Sequence, residues 1–285
     1  MTLTLPRRLA ATALLLCAAL PALAKERTAA QLPIAVQMYS LRNIPSLEDR
    51  LKLVHDAGIT AVETVGTQDT TAPQLKALLD KYGIIVTSSH VQLADLRKDL
   101  AGVVAFNKAV GNRVLVVPYL GDAERPKDAA GWTALGKELG QLAGMLKAQG
   151  MTLAYHNHDF EFARFGDKTG LELLLEGAGP ALKSELDLAW VARSGNDPVV
   201  YLGNLKGRLY AVHAKDNAPK GQAADESGFA AVGHGVLDWK AILPAADRAG
   251  VKWYIIEHDN PRDPAAVVKA GAAYLVEHLP ADVKR

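Results

Sequence analysis

The chain has 285 residues and a single cysteine, Cys17, so no internal disulfide is available and a hydrophobic core has to hold the fold. An excess of either charge is also missing. The 32 Lys and Arg residues against 31 Asp and Glu give a formal net charge of +1, which offers no electrostatic grip on nucleic acid or anionic lipid. A membrane-spanning run of about 20 apolar residues is not found either, since the apolar stretch from Leu9 to Leu20 falls short of it. That stretch follows Arg7 and Arg8 and ends in Ala22-Leu23-Ala24, the pattern of a secretory signal peptide. The sequence therefore predicts export to the periplasm or exterior with residues 1–24 removed. Without Arg7 and Arg8 the mature chain keeps 30 basic against 31 acidic residues, and no cysteine.

What is present is alternation. Short apolar segments are followed repeatedly by amphipathic helical stretches, with Gly or Pro between them. Strands are expected at Ile34 to Tyr39, Ala61 to Val65, Ile84 to Ser89, Arg113 to Val117, Thr152 to Asn157, Ser184 to Leu188, Leu209 to Ala214 and Trp253 to Glu257. Their Val, Ile and Leu content suits strands buried on both faces. Ser46 before Leu47 to Ala57, with Gly58 after it, reads as a capped and terminated helix, as does Thr71 before Pro73 to Tyr82 with Gly83. A long helix is expected from Trp132 to Gln149 and a short one at Pro198 to Leu205. Eight βα units in about 260 residues predict a (β/α)₈ TIM barrel, one domain over 25–285, with its functional groups at the C-terminal strand ends. A doubly wound open sheet is the alternative, but it expects a Gly-rich phosphate turn after the first strand. Here that place holds Gln37-Met38-Tyr39-Ser40-Leu41-Arg42.

Polar residues interrupt these apolar strands at their C-terminal ends, where burial without a partner costs several kcal/mol apiece. Strand 2 carries Glu63, strand 3 ends at His90, and strand 5 runs into His156-Asn157-His158-Asp159-Phe160-Glu161. Strand 6 offers Asp187, strand 7 His213-Ala214-Lys215-Asp216, and strand 8 Glu257-His258-Asp259. Strands 5 to 8 of a closed barrel are neighbours, so His156, Asp187, His213 and Glu257 are expected to converge. Two imidazoles and two carboxylates suit one divalent ion of the Mn, Zn, Co or Fe kind rather than Ca²⁺.

Across Val36-Gln37-Met38-Tyr39-Ser40-Leu41, Leu186-Asp187 with Trp190, His213-Ala214-Lys215-Asp216 and Ile255-Ile256-Glu257-His258, the chain resembles the xylose isomerase-like barrels. That family includes sugar phosphate isomerases, sugar epimerases, inosose dehydratase and endonuclease IV. The resemblance implies a single divalent metal held by Glu, Asp, His and Glu from strands 5 to 8. Asp187, His213 and Glu257 match this pattern. The strand 5 glutamate aligns with His156, and either it or His158, two residues along the same face, takes that place.

The resemblance further implies an enzyme of the sugar isomerase or epimerase type, enolising its substrate beside a metal-bound carbonyl. His158, Glu161 or Glu257 would take the proton, and Lys215 would steady the enolate oxygen. Glu63 and His90 are expected to bind sugar hydroxyls, Tyr39 and Trp190 to wall the pocket, and the loop from Asn217 to His234 to cover it. With no phosphate cradle or Arg cluster near the mouth, a neutral sugar, keto-sugar or glycoside is the expected substrate. The missing glutamate opens a second route, elimination from a 3-keto-glycoside by a lyase or hydratase. A nuclease is disfavoured by neutral charge and export, and a non-catalytic sugar-binding protein is the remaining class. Nothing in the sequence sets the oligomeric state.

Overall fold

Eight apolar runs become the staves of a closed barrel: β1 (Ile34–Gln37), β2 (Ala61–Val65), β3 (Ile85–His90), β4 (Val114–Val117), β5 (Thr152–His156), β6 (Lys183–Asp187), β7 (Leu209–Asn217) and β8 (Trp253–Ile256). Each is parallel to the next, and β8 returns to β1 with Tyr254 opposite Ile34, so no barrel edge is left open. The computed structural model describes Met1 and residues 27–285; residues 2–26, which hold nearly all of the segment read as a signal peptide, lie outside the described residues. The expected (β/α)₈ TIM barrel is the fold. Among the described residues no helix is long and apolar enough to cross a membrane.

Two strand boundaries differ from expectation in ways that matter. β1 stops at Gln37 because the Gln37 side chain accepts a hydrogen bond from the Tyr39 amide at 3.0 Å and turns the chain into a 3₁₀ helix, Met38–Leu41. β7 continues past Ala214 to Asn217, because the short strand Phe229–Ala231 folds back antiparallel with Ala231 opposite Lys215. Lys215 and Asp216 are thus strand residues, not loop residues.

The helices end where their sequence signals place them. Ser46 Oγ accepts from the Asp49 amide, Thr71 and Gln74 form a reciprocal capping box, and Gly83 closes that second helix at φ +63°, a conformation that penalises any Cβ. On the outer ring the long helix Ala129–Ala148 lies directly on Gly170–Ala178. A Cβ at Gly136 would stand 2.2 Å from the Leu174 carbonyl oxygen. Gly136→Ala is therefore expected to destabilise the protein by about 1–3 kcal/mol through overpacking, read as a lower denaturation midpoint.

Inside the barrel, alternate residues face the axis. The floor is apolar, with Ala35, Ala61, Ala211 and Ile255 in one cluster and Val114, Val116 and Ala154 in another. Tyr210 crosses this floor and donates to the Thr87 carbonyl at 2.6 Å. Two residues further along each strand the interior turns polar. Gln37, Glu63, Ser88, His90, His156 and Glu185 form one layer, and Asp187, His213, Lys215 and Glu257 stand above them.

Candidate metal and active site

In the upper layer His213, Asp187 and Glu257 each offer one donor atom, all within 4.8 Å of one another. His213 Nε2 lies 2.9 Å from Glu63 Oε1 and 3.0 Å from Glu185 Oε1, so these carboxylates hold the ring proton on that side. Burial is outweighed by Glu185 and Glu63, which hold this imidazole well above its ordinary pKa, and its Nδ1 is buried without a hydrogen-bond partner, facing Asp187 Oδ2 at 3.7 Å, so a cation seated there would take the place of a proton. A carboxylate-oriented imidazole with a free nitrogen is the arrangement of a metal-binding histidine. Asp187 Oδ2 and Glu257 Oε2 likewise have no aligned hydrogen bond, and their nearest cation is the Lys215 ammonium at 2.9 and 2.7 Å. Lys215 also pairs with Asp259. Three carboxylates exceed one ammonium by two charges, the charge of one divalent cation, so the residues present fit such an ion.

Asp187 is fixed from both ends. Its Oδ1 accepts from the Trp190 amide at 2.9 Å, capping the helix Leu188–Arg193, and its own amide donates to Asn157 Oδ1 at 3.0 Å. His156 does not join this group. The register of β5 on β6 sets His156 opposite Glu185, whereas Asp187 stands opposite His213, so the expected fourth ligand lies one layer too low. Extending that register, His158 rather than His156 reaches the height of Asp187. Its ring stands among Tyr119, His156 and Trp190 with centroids 5.1, 5.0 and 5.3 Å away, and its buried Nδ1 has no partner.

A cleft of about 290 Å³ opens above these groups, with Tyr39, His90, His156, His158, His213 and Glu257 among its lining residues. Tyr39 and His90 are therefore where the sequence placed them. Four others are not. Glu63 is fully buried under the mouth, accepting from Gln37 Nε2 at 2.6 Å and Ser88 Oγ at 2.5 Å, and is spent on protein partners rather than sugar hydroxyls. Glu161 is turned away from the cleft, taking the Tyr155 hydroxyl on Oε1 and the His158 amide on Oε2, both at 2.8 Å, and it shapes the turn that presents His158. Trp190 stands behind the wall, against Phe229 and the Lys215 ammonium. Lys215 itself is 1% exposed and engaged by three carboxylates, so it does not reach an enolate oxygen from the cleft.

Sequence reasoning missed Glu185, buried and in contact with His90, although its place two residues before Asp187 on a strand was the available signal. Asp259, which lines the cleft, carried no role either. The expected lid is tied down. Asp216 accepts from the amides of Gly233, Gly235 and Leu237 and from Trp239 Nε1, pinning the loop after β7, while His234 packs against Tyr274.

Burial and the Lys215 charge push His158 down to about 3, leaving a neutral imidazole at the cleft wall. Burial, then the Asp259 charge, push Glu257 up to about 7. Burial of Glu161 raises its carboxyl to about 7 despite the hydrogen bonds it accepts. Burial opposes the charge on His90, but Glu63 and Glu185 outweigh it and raise the imidazole to about 9. Burial of Glu63 is overcome by His90 and His213, which hold it well below the usual carboxylate range, whereas burial and the Glu63 charge push Glu185 up. Folded His90 thus holds a proton that the unfolded chain releases near 6.5, so this stabilisation is complete below 6.5 and lost as pH rises through about 9. Chelator-treated protein should lose roughly 1–3 kcal/mol in urea titrations between these pH values, and His90→Gln should flatten that slope.

Residues 51–278 match the profile of the xylose isomerase-like TIM barrel family. Inosose dehydratase of Geobacillus thermodenitrificans is 30% identical over 150 residues, 47% of this chain and 48% of that protein. A solved sugar phosphate isomerase/epimerase from Parabacteroides distasonis superposes with a TM-score of 0.74 at 20% identity, over 94% of this chain and 99% of that one. The IolI protein with a bound zinc atom gives 0.69 at 14% identity, over 87% and 98%. At such identities the solved structures attest the fold. The profile match runs from the first outer helix to the last and takes in β2 to β8, and by it the chain belongs to the xylose isomerase-like TIM barrel family.

Proposed function

We propose that the protein is a divalent-metal-dependent enzyme of the sugar isomerase or epimerase type that removes a proton beside the carbonyl of a neutral sugar or keto-sugar. The observation that carries this reading is His213, oriented by Glu63 and Glu185, with its free Nδ1 facing Asp187 under a cleft walled by His158 and Glu257. Asp187, His213 and Glu257 would hold the ion, and the zinc bound by the IolI protein is consistent with that choice. When bound, such an ion supplies Lewis acidity to a carbonyl oxygen and so acidifies the adjacent C–H.

The chain's own groups do the rest. His158, neutral and with an unpartnered nitrogen, is placed to accept the proton; burial and the Lys215 charge make it a weak base, and Asp259 offsets part of that by favouring the imidazolium. Glu257, on β8 and nearly across the mouth from β5, returns a proton from the other side through the carboxylate oxygen not given to the ion. Lys215 holds the Asp187 and Glu257 oxygens in place. Among the described cleft-lining residues none is Lys or Arg and two are carboxylates, an electrostatic lining that suits a neutral substrate over a phosphorylated one. A volume near the small end of ligand pockets, about 300 Å³, suits a substrate of about one sugar ring.

In D₂O, a panel of keto-sugars should gain deuterium beside the carbonyl, with the rate reduced about 100-fold or more in His158→Gln. Exchange undiminished in that variant would remove His158 as the base. No exchange across the panel would favour a sugar-binding protein without catalysis. One observation favours elimination as a second reading. β5 presents no carboxylate to the mouth, because Glu161 is turned inward, so the pair of opposed carboxylates used for two-sided epimerisation is incomplete. Release of the aglycone from a 3-keto-glycoside would decide for that lyase reading. Export belongs to the same proposal, and the mass of the mature protein from a periplasmic fraction should correspond to a chain beginning at Lys25.

A further inference from the structure

One layer below the cleft floor, four side chains close a ring. His90 Nε2 lies 2.8 Å from Glu185 Oε1, which lies 3.0 Å from His213 Nε2; His213 Nε2 lies 2.9 Å from Glu63 Oε1, which lies 3.1 Å from His90 Nε2. Each ring nitrogen carries at most one proton, yet each is approached by two carboxylate oxygens. Among the described residues no Lys or Arg forms an ion pair with Glu63 or Glu185, and Gln37 and Ser88, which donate to Glu63, are neutral. His156 approaches from β5 with Nδ1 3.5 Å from Glu185 Oε1, and both that nitrogen and Glu185 Oε2 are buried without a hydrogen-bond partner. One donor atom from each of His90, His156, Glu185 and His213 lies within 4.8 Å of the other three. Four ligands around a tetrahedral divalent ion stand about 3.4 Å apart, and the distances of 2.8, 3.0 and 3.5 Å from Glu185 Oε1 to the three imidazole nitrogens bracket that spacing.

We propose that this layer is a second divalent-cation seat, built by His90, His156, Glu185 and His213 and fitted to imidazole-preferring ions such as Zn²⁺. Its donors are three imidazoles and one carboxylate, against one imidazole and two carboxylates in the seat above, so the lower takes Zn²⁺, Ni²⁺ or Cu²⁺ and the upper favours Mn²⁺. The seats share His213 through opposite nitrogens. A neutral imidazole has one lone pair to give, so they fill one at a time. That exclusivity rests on the metal site proposed above; the lower seat does not.

The test titrates chelator-stripped full-length protein with Zn²⁺ against a chromophoric chelator, in the wild type and in Glu185→Gln, His156→Gln and Glu257→Gln. One Zn²⁺ per chain is expected, bound at least 100-fold more weakly in Glu185→Gln and His156→Gln and within about threefold of wild type in Glu257→Gln. Co²⁺ should give the strong visible bands of tetrahedral coordination in the wild type and lose them in Glu185→Gln. Circular dichroism checks that each variant is folded, and if Glu185→Gln is not, His156→Gln decides. Absence of Zn²⁺ binding overturns the proposal, as does Zn²⁺ binding abolished by Glu257→Gln and indifferent to the other two substitutions. Zn²⁺ should also expel Mn²⁺ one for one, and retention of both ions overturns the exclusivity. Failure of Mn²⁺-dependent proton exchange with this Zn²⁺ pattern intact would count against the proposed catalysis alone.

Discussion

With Mn²⁺ as the only cation supplied, Asp187→Ala should bind it at least 100-fold more weakly and lose a thousandfold or more of kcat/KM, about 4 kcal/mol of transition-state stabilisation. Two of the carboxylate's functions are removed at once. Oδ2 is the oxygen that faces His213 Nδ1, and Oδ1 caps the helix Leu188–Arg193 through the Trp190 amide. The lost cap alone costs about 1 kcal/mol of stability. Asp187→Asn separates the two effects, since an amide oxygen still caps while the charge that draws a cation is gone. Elemental analysis and Mn²⁺ titration of both variants should show the same loss of metal, with near wild-type melting for the asparagine. Mn²⁺ retained at full stoichiometry in either would remove Asp187 from the site.

Lys215→Met should give the largest loss of stability, about 3–5 kcal/mol in metal-stripped protein, because it leaves the buried Asp187 and Glu257 and the partly exposed Asp259 with no ammonium between them. Methionine keeps the length and most of the volume, so the effect reads charge rather than packing. The sign with pH follows from Glu257, already pushed up to about 7 with the lysine present. Removing the cation raises carboxyl affinity for protons further in the folded state than in the unfolded chain, so the deficit should shrink at pH 5 and grow at pH 8. Saturating Mn²⁺ should return part of the loss, since an ion that binds only the folded state stabilises it by mass action. Urea denaturation across these conditions is the measurement. A deficit below about 1 kcal/mol at pH 8 would mean that the three carboxylates are not held ionised against Lys215.

Both experiments bear on how the site is specified. Asp187, His213 and Glu257 were legible because each terminates or interrupts an apolar strand, and strand neighbours in a barrel must converge at their C-terminal ends. His90 reached the cleft for the same reason, whereas Tyr39 reached it on the 3₁₀ helix that follows β1. Glu161 misled because local spacing places it near the mouth, while the 3₁₀ helix Phe160–Phe162 turns its carboxylate back to Tyr155 and the His158 amide. Lys215 looked like a loop residue until the strand Phe229–Ala231, remote in sequence, extended β7 over it.

The amino-acid order by itself determined the eight strands, their caps and stops, and which ends carry polar groups, because a period of two, a glycine at positive φ and an N-cap oxygen act over a few residues. Only the closed barrel decided the stagger between strands. The regular register of β5 on β6 sets His156 level with Glu185, and a register shift between Ser184 and Glu185 in the pairing of β6 with β7 brings Asp187 opposite His213. Stagger in a closed sheet is a property of all its strands together. No local window contains it, and it gathered the donor atoms of Asp187, His213 and Glu257 while leaving His156 opposite Glu185.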